Sequence, residues 1–396
     1  LSNVTAIQIN PTTKMELGAF VNDKDLFHPI FQAVDQESTD FGGFSRVEKK
    51  FTALNLDHKI LGGINYHAGK VDALQFINVR GSRGIQTADT DQKSQNVALY
   101  GEGQFHVARD LSLILGGQGL WANRNFINNR NASASDEENF TGFNPKIGTL
   151  WDVTAASQVF ANISRSSEVP TFSELVQQPV VGFVPLDTQT AWTAEIGTRG
   201  SKGNLTWDLT AYHARIENEL LQFTTNSTIP ATTFNADQTI HQGLELGSAW
   251  RFTHNLWRMN DSLTLSQIYN LNDFRFQDDP QFGDNELAGI PRHVLRSELR
   301  YKQEKWSTAP IMEWAPEAPF VDFANTTKAT DFMILNLEAQ RKITDRMEIF
   351  FEARNLLDQR FISNFSTVTN AGTGPSPAIF YPGEGRSFFG GLKVKF

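Results

Sequence analysis

Residues 347–361 read MEIFFEARNLLDQRF, and residues 380–396 read FYPGEGRSFFGGLKVKF. In the first, Met347, Ile349, Phe351 and Ala353 alternate with Glu348, Phe350, Glu352 and Arg354. In the second, Phe388, Gly390, Leu392, Val394 and Phe396 alternate with Ser387, Phe389, Gly391, Lys393 and Lys395. A period of two places each set on its own face of a β-strand. One face is then almost wholly apolar and the other carries the ions. Soluble β-sandwiches show the same alternation, but with shorter strands and smaller loops. Here two strands flank a long Ser/Thr/Asn/Gly/Pro-rich connection at 358–385 and the chain closes on Phe396. That combination predicts an all-β fold: a transmembrane antiparallel β-barrel, apolar face to lipid and polar face to a lumen.

Composition agrees. The 396 residues contain no Cys, which excludes disulfides and thiolate metal sites. A formal net charge of −9 argues against a nucleic-acid partner. Phe is abundant, at 31 residues, as suits a barrel with aromatic girdles. No run of eighteen apolar residues is present, so no transmembrane helix is expected. The negative mean hydropathy is compatible with a membrane location, because barrel strands are only half apolar. No secretory leader is visible, which for an outer-membrane protein implies a mature chain or a fragment.

Strand-like segments recur at 2–9, 14–28, 41–53, 58–71, 94–107, 111–124, 143–153, 157–167, 190–200, 204–223, 238–252, 261–275, 292–303, 306–316, 331–342, 347–357 and 386–396. Val97, Leu99, Gly101, Gly103, Phe105 and Val107 oppose Tyr100, Glu102, Gln104 and His106. Short connections fall at Asn10–Thr13, Ala108–Asp110, Val153–Ser157, Gly200–Gly203 and Ile343–Arg346. Long ones fall at 72–93, 125–142, 168–189, 224–237, 276–291, 317–330 and 358–385. Short periplasmic turns alternating with long extracellular loops are the outer-membrane pattern. Seventeen strands is an odd number, and an all-antiparallel ring needs an even one. Either the count is off by one or earlier strands are missing, and a start at Leu1 without Met, leader or turn favours the second.

Three stretches resemble the barrel of TonB-dependent outer-membrane receptors: FNPKIGTLWDVTAASQVFANISRSSEVPTFSEL at 143–175, TAWTAEIGTRGSKGNLTWDLTAYHARIENELL at 190–221, and the terminal FEARNLLDQRF with its closing strand. Residues 14–49 look like the middle of such a barrel. The resemblance implies a 22-stranded wall. It makes the chain, 1–396, a carboxy-terminal barrel fragment of about seventeen strands, without the plug domain and its TonB box. It further implies a Gram-negative outer-membrane location and active uptake of a scarce large solute, usually a ferric siderophore or other iron chelate. TonB with ExbB–ExbD, the lipid bilayer and lipopolysaccharide would be its partners. The competing reading is a plugless diffusion porin.

No catalytic constellation emerges. The eight His are scattered and no His-x-x-x-His occurs, so neither a metal site, a cofactor nor an enzyme activity is expected. Asn144-Pro145 reads as the top of a downward strand, Pro170 as the end of an upward one, and Arg354-Asn355-Leu356-Leu357-Asp358 as a rim. The substrate-binding candidates are His28 and Arg124, inward at the tops of upward strands, and Tyr381 in the last long loop. Inward Glu102, Arg296, Glu298, Arg300, Glu338, Glu352 and Arg354 are expected to face a plug, with water serving them where it is missing.

Overall fold

The computed structural model describes residues 1–177, 181–225, 231–373 and 380–395. In chain order the strands are β1 Ser2–Asn10, β2 Thr13–Pro29, β3 Gln32–Ala53, β4 Leu56–Val79, β5 Ser82–His106, β6 Leu111–Asn128, β7 Asp136–Thr154, β8 Ser157–Glu168, β9 Val176–Gln177, β10 Gly182–Phe183, β11 Gln189–Lys202, β12 Leu205–Phe223, β13 Thr232–His254, β14 Ser262–Phe276, β15 His293–Lys302, β16 Trp306–Ala315, β17 Phe332–Lys342, β18 Met347–Arg354, β19 Ile362–Phe365, β20 Phe380–Pro382 and β21 Ser387–Val394. Seventeen of them belong to one antiparallel sheet of the outer-membrane barrel type, and each segment expected from the sequence corresponds to one of these. The remaining four make two small hairpins in loops, β9 with β10 and β19 with β20. A single helical turn, α1, covers Phe172–Leu175. No helix is long and apolar enough to cross a membrane, which says nothing against crossing by strands.

Two compact units divide the chain. The first comprises Leu1–Trp151, Asn162–Thr193 and Ile216–Gln238. Within it β1 to β7 pair consecutively and antiparallel. The second comprises Asp152–Ala161, Ala194–Arg215 and Thr239–Phe396. There β13 to β18 pair in turn, and β18 pairs with the closing β21.

The registers confirm the two faces. Ile349 stands opposite Leu392 and Phe351 opposite Gly390, while Glu348 stands opposite Lys393 and Glu352 opposite Phe389. Large apolar groups lie open on the outer face, among them Leu99, Phe143, Ile147, Phe388 and Leu392. In water such a surface would associate; against lipid it is the matched solution. On β16 the outward Trp306 and Trp314 are both exposed, one at each end of the strand. Eight residues at about 3.3 Å each separate them by about 26 Å along the strand, the scale of the apolar band between two aromatic girdles.

Three expectations are corrected. Residues 72–93 are not a loop: β4 and β5 continue to Val79 and from Ser82, joined only by Arg80 and Gly81. Both turn residues have positive φ, 52° and 89°, the backbone of a tight hairpin turn with the strands' own twist. A membrane strand needs about 9–11 residues, so the outer parts of the 24-residue β4 and 25-residue β5 stand beyond the bilayer. Their outer face changes accordingly, from Ile64, Tyr66 and Ala68 to Lys70 and Asp72. Likewise β7 begins at Asp136, inside the expected loop 125–142. Pro145 therefore lies within β7, opposite Gly117, and not at a strand top. The ladder loses one donor there and continues, because seven residues above Pro145, from Glu138 to Asn144, are held in register by β6.

Candidate ligand-facing rim and inner wall

In the first unit the rim is built on Arg124. Its side chain is only 7% exposed, beyond the outward Trp121 of β6. Nε donates to the Pro170 carbonyl at 3.1 Å, one terminal nitrogen to the carbonyls of Asn123 and Gln95, and the other to Asn96 Oδ1 at 3.0 Å. Every acceptor is neutral. Burial pulls the guanidinium's pKa down, yet all three of its nitrogens donate. The geometry makes Arg124 a staple between β6 and the start of the loop 168–189. Directly across the ladder stands Glu138. Burial raises its pKa, helped by the charges of Asp187 and Asp136, and its Oε2 has no hydrogen-bond partner.

The start of the loop that follows, residues 169–177, is ordered by its own sequence. Pro170 follows the end of β8, as expected, and Glu174 accepts from both the backbone N–H and the hydroxyl of Thr171. The Thr-x-x-Glu spacing at 171–174 is the sequence signal of this helix start, and a reading by strand parity alone passes over it. Leu175 is fully buried, and Gln177 Nε2 donates to the Thr233 carbonyl at 2.8 Å. Asp187 N–H donates to Asn235 Oδ1, and Asn235 Nδ2 to the Asp187 carbonyl. His28 is exposed at the tip of β2, in the same unit but in another hairpin.

In the second unit three loops lock together. Asp322 is fully buried, and its carboxylate accepts from Thr326 N–H, the Thr326 hydroxyl, Thr327 N–H and, across to the last loop, Ala371 N–H. Val321 packs on Val368, and Phe323 N–H donates to the Val368 carbonyl. Asn325 Oδ1 accepts from Glu286 N–H, and Asn285 Nδ2 donates to the Phe323 carbonyl, which adds the loop 277–292. Phe276, Phe282 and Phe323 form its apolar centre. Tyr381 lies in β20 with its side chain open to solvent, while its carbonyl accepts from the Ser363 hydroxyl.

The motif 352–361 acquires a physical role here. Asn355 is 2% exposed, with a positive φ of 48°. Its side chain donates to the carbonyls of Gln359 and Glu384 and accepts from Gln359 N–H. Asp358 accepts from Arg386 N–H. Asn355 and Asp358 thus close the neck of the last long loop.

Below that neck the inner wall is charged but internally paired, contrary to the expectation that water alone would serve it. Arg300 donates to Glu298 at 2.5 Å and to Glu338 at 2.9 Å, Arg296 lies 3.7 Å from Glu298, and Arg354 donates to Glu352 at 2.9 Å. In the first unit Lys146 pairs with Glu102. The reason is register: Glu298 stands on the same face as its i ± 2 neighbours Arg296 and Arg300, and β15 to β18 bring Glu338 and Glu352 alongside. A cavity of about 390 Å³ opens against this wall, lined by Arg296, Glu313, Glu338, Glu352, Arg354 and Glu384 among others. Among the described residues no group of three or more His, Asp or Glu is placed to hold a metal ion.

Residues 10–356 match the family model described as TonB dependent receptor-like, beta-barrel. The vitamin B12 transporter BtuB of Photobacterium profundum is 21% identical over 222 residues, covering 55% of this chain and 34% of that protein. Among solved structures, the copper transporter OprC superposes with a TM-score of 0.80 at 16% identity, over 100% of this chain and 64% of that one. The ferric citrate transporter FecA gives 0.76 at 17%, over 99% and 60%. The ferric yersiniabactin uptake receptor FyuA of Yersinia pestis gives 0.75 at 13%, over 100% and 60%. The chain thus spans about a third of that curated relative and under two thirds of these structures. These likenesses are to receptors and transporters of the outer membrane, not to enzymes, and the chain belongs to the TonB-dependent receptor β-barrel family.

Proposed function

We propose that this chain forms the wall and extracellular rim of a TonB-dependent receptor that imports a scarce solute too large for open pores. The observation that carries the reading is the combination of an inward, ion-paired wall with loops locked into a fixed rim. A fixed rim binds without first losing loop entropy, and a polar, charged wall offers a face for a plug to seat against and leave. The 60–64% share of the neighbours' length supports a plug encoded outside these residues. TonB, energised through ExbB–ExbD, would then supply the pull.

For the cargo we infer a ferric siderophore or other iron chelate. Neighbours named for ferric yersiniabactin, ferric citrate and siderophores support that class, although copper and vitamin B12 transporters stand beside them. His28, Arg124 and Tyr381 remain the proposed contacts, with Arg124 acting through the loop it anchors. The test is uptake of a labelled panel of iron chelates, copper and cobalamin by cells carrying or lacking the gene at native length. Iron-chelate uptake lost with the gene and with TonB supports the reading. Uptake that persists without TonB returns the chain to the porin class.

A further inference from the structure

At the short-turn end of β16, β17 and β18 lies a cavity of about 690 Å³. It is lined on the apolar side by Trp306, Ile349 and Phe351, and on the polar side by Arg258, Lys305 and Arg341. The register puts Arg341 opposite both Trp306 and Ile349, so these three share the outward, lipid-facing side of the sheet. Arg258 comes from the turn between β13 and β14. The buried carboxylate of Asp261 holds that turn in place, accepting from the N–H groups of Leu256, Trp257 and Arg258 and from the Tyr301 hydroxyl. Trp257 and Trp306 each lie 5.0 Å, ring to ring, from Tyr301. The cationic turn is thus fixed beside the apolar floor.

Among the described residues none of the three cations has an ion-pair partner, and Glu304 is the one acid that lines the cavity. On the inward side of the same strands Glu338, Glu352 and Arg354 are ion-paired, as described above. Unpaired cations beside exposed aromatic and aliphatic groups, at the edge of a lipid-facing surface, complement one chemistry: an anionic headgroup carrying acyl chains.

We propose that this cavity is a binding site for an anionic phospholipid of the periplasmic leaflet. The phosphate would sit among Arg258, Lys305 and Arg341, with an acyl chain along Trp306, Ile349 and Phe351. The proposal rests on the barrel's orientation, short turns inward, and not on the identity of any cargo. Each cation near an anionic lipid surface contributes roughly a fivefold gain in affinity, so a net of two favours an anionic over a zwitterionic lipid by roughly 25-fold.

The test is native mass spectrometry of the full-length receptor in detergent, titrated with phosphatidylglycerol, phosphatidylcholine and lipopolysaccharide. The proposal expects one tightly held phosphatidylglycerol, preferred over phosphatidylcholine by tenfold or more. It expects that preference to vanish in R258Q/K305Q/R341Q and to survive in K49Q/K50Q, which removes two lysines near a different short turn. The heat-dependent gel shift of folded barrels verifies that the variants fold, and the lipid comparison on the wild type stands whether or not they do. Equal binding of the two phospholipids, a preference unchanged in the triple variant, an equal loss in K49Q/K50Q, or lipopolysaccharide displacing phosphatidylglycerol would each overturn it.

Discussion

Replacing Asn355 with Ala removes the clasp of the last extracellular loop. Three hydrogen bonds go with the side chain: two donated, to the Gln359 and Glu384 carbonyls at 2.9 and 3.0 Å, and one accepted, from Gln359 N–H at 2.9 Å. At about 1 kcal/mol net for each bond, the neck should lose about 3 kcal/mol. Leaving backbone groups unsatisfied at a site 2% exposed pushes the cost upward, and water entering the opened neck offsets part of that. Asn also tolerates the positive φ of 48° better than Ala, which adds to the loss. Because β18 and β21 are held by their own ladder, the effect should be local. About 3 kcal/mol corresponds to roughly a 100-fold rise in local opening. Hydrogen–deuterium exchange of the receptor in lipid reads this directly. The amides of Gln359 and Arg386 should lose about two decades of protection, while those of Phe351 and Leu392 keep theirs. Unchanged exchange at Gln359 and Arg386 would mean that the neck is held elsewhere and that the motif is only a strand end.

Arg124→Met should loosen the start of the loop 168–189 by about 1.5–3 kcal/mol, since the one charge-assisted bond that reaches it, to the Pro170 carbonyl, leaves with the fork; protease cutting after Pro170 measures it, and Arg124→Lys should restore little. Gly63→Ala should destabilise the first unit by about 1–3 kcal/mol, because the added carbon would meet the Ser45 carbonyl at 2.5 Å and the Tyr100 hydroxyl at 2.7 Å; a urea titration followed by gel shift reads it. Asp91 faces Asp72 across β4 and β5, beyond the bilayer, and that carboxyl first, then burial, raises its pKa, whereas Lys70 holds Asp72 low. A raised carboxyl favours the fold fully below its ordinary value of 3.8 and loses that contribution as pH climbs through the raised one. Asp91→Asn should therefore protect the outer hairpin at neutral pH and make no difference below about pH 4, as exchange rates at the two pH values will test.

Much of the wall was readable from the chain because a strand's inside and outside are set by parity, a property of residues two apart. Phe388, Leu392 and Val394 fall on the lipid face wherever the sheet goes, and so do the seventeen segments that carry the same pattern. Where the pattern thinned, at 72–93 and 125–142, polar composition mimicked a loop, because a strand that leaves the bilayer no longer needs an apolar face. Pro145 misled for the same reason, as a local rule applied where cross-strand pairing decides.

The rim is a different case. Asp322 with Ala371, Asn355 with Glu384 and Arg124 with Pro170 join residues 49, 29 and 46 positions apart. No periodicity encodes such meetings. Their residue types, Asp and Asn in loops, are what any exposed turn would use. Only the folded chain brings a buried carboxylate to a distant backbone N–H, and only there does desolvation turn an ordinary loop residue into a fixed point of the mouth.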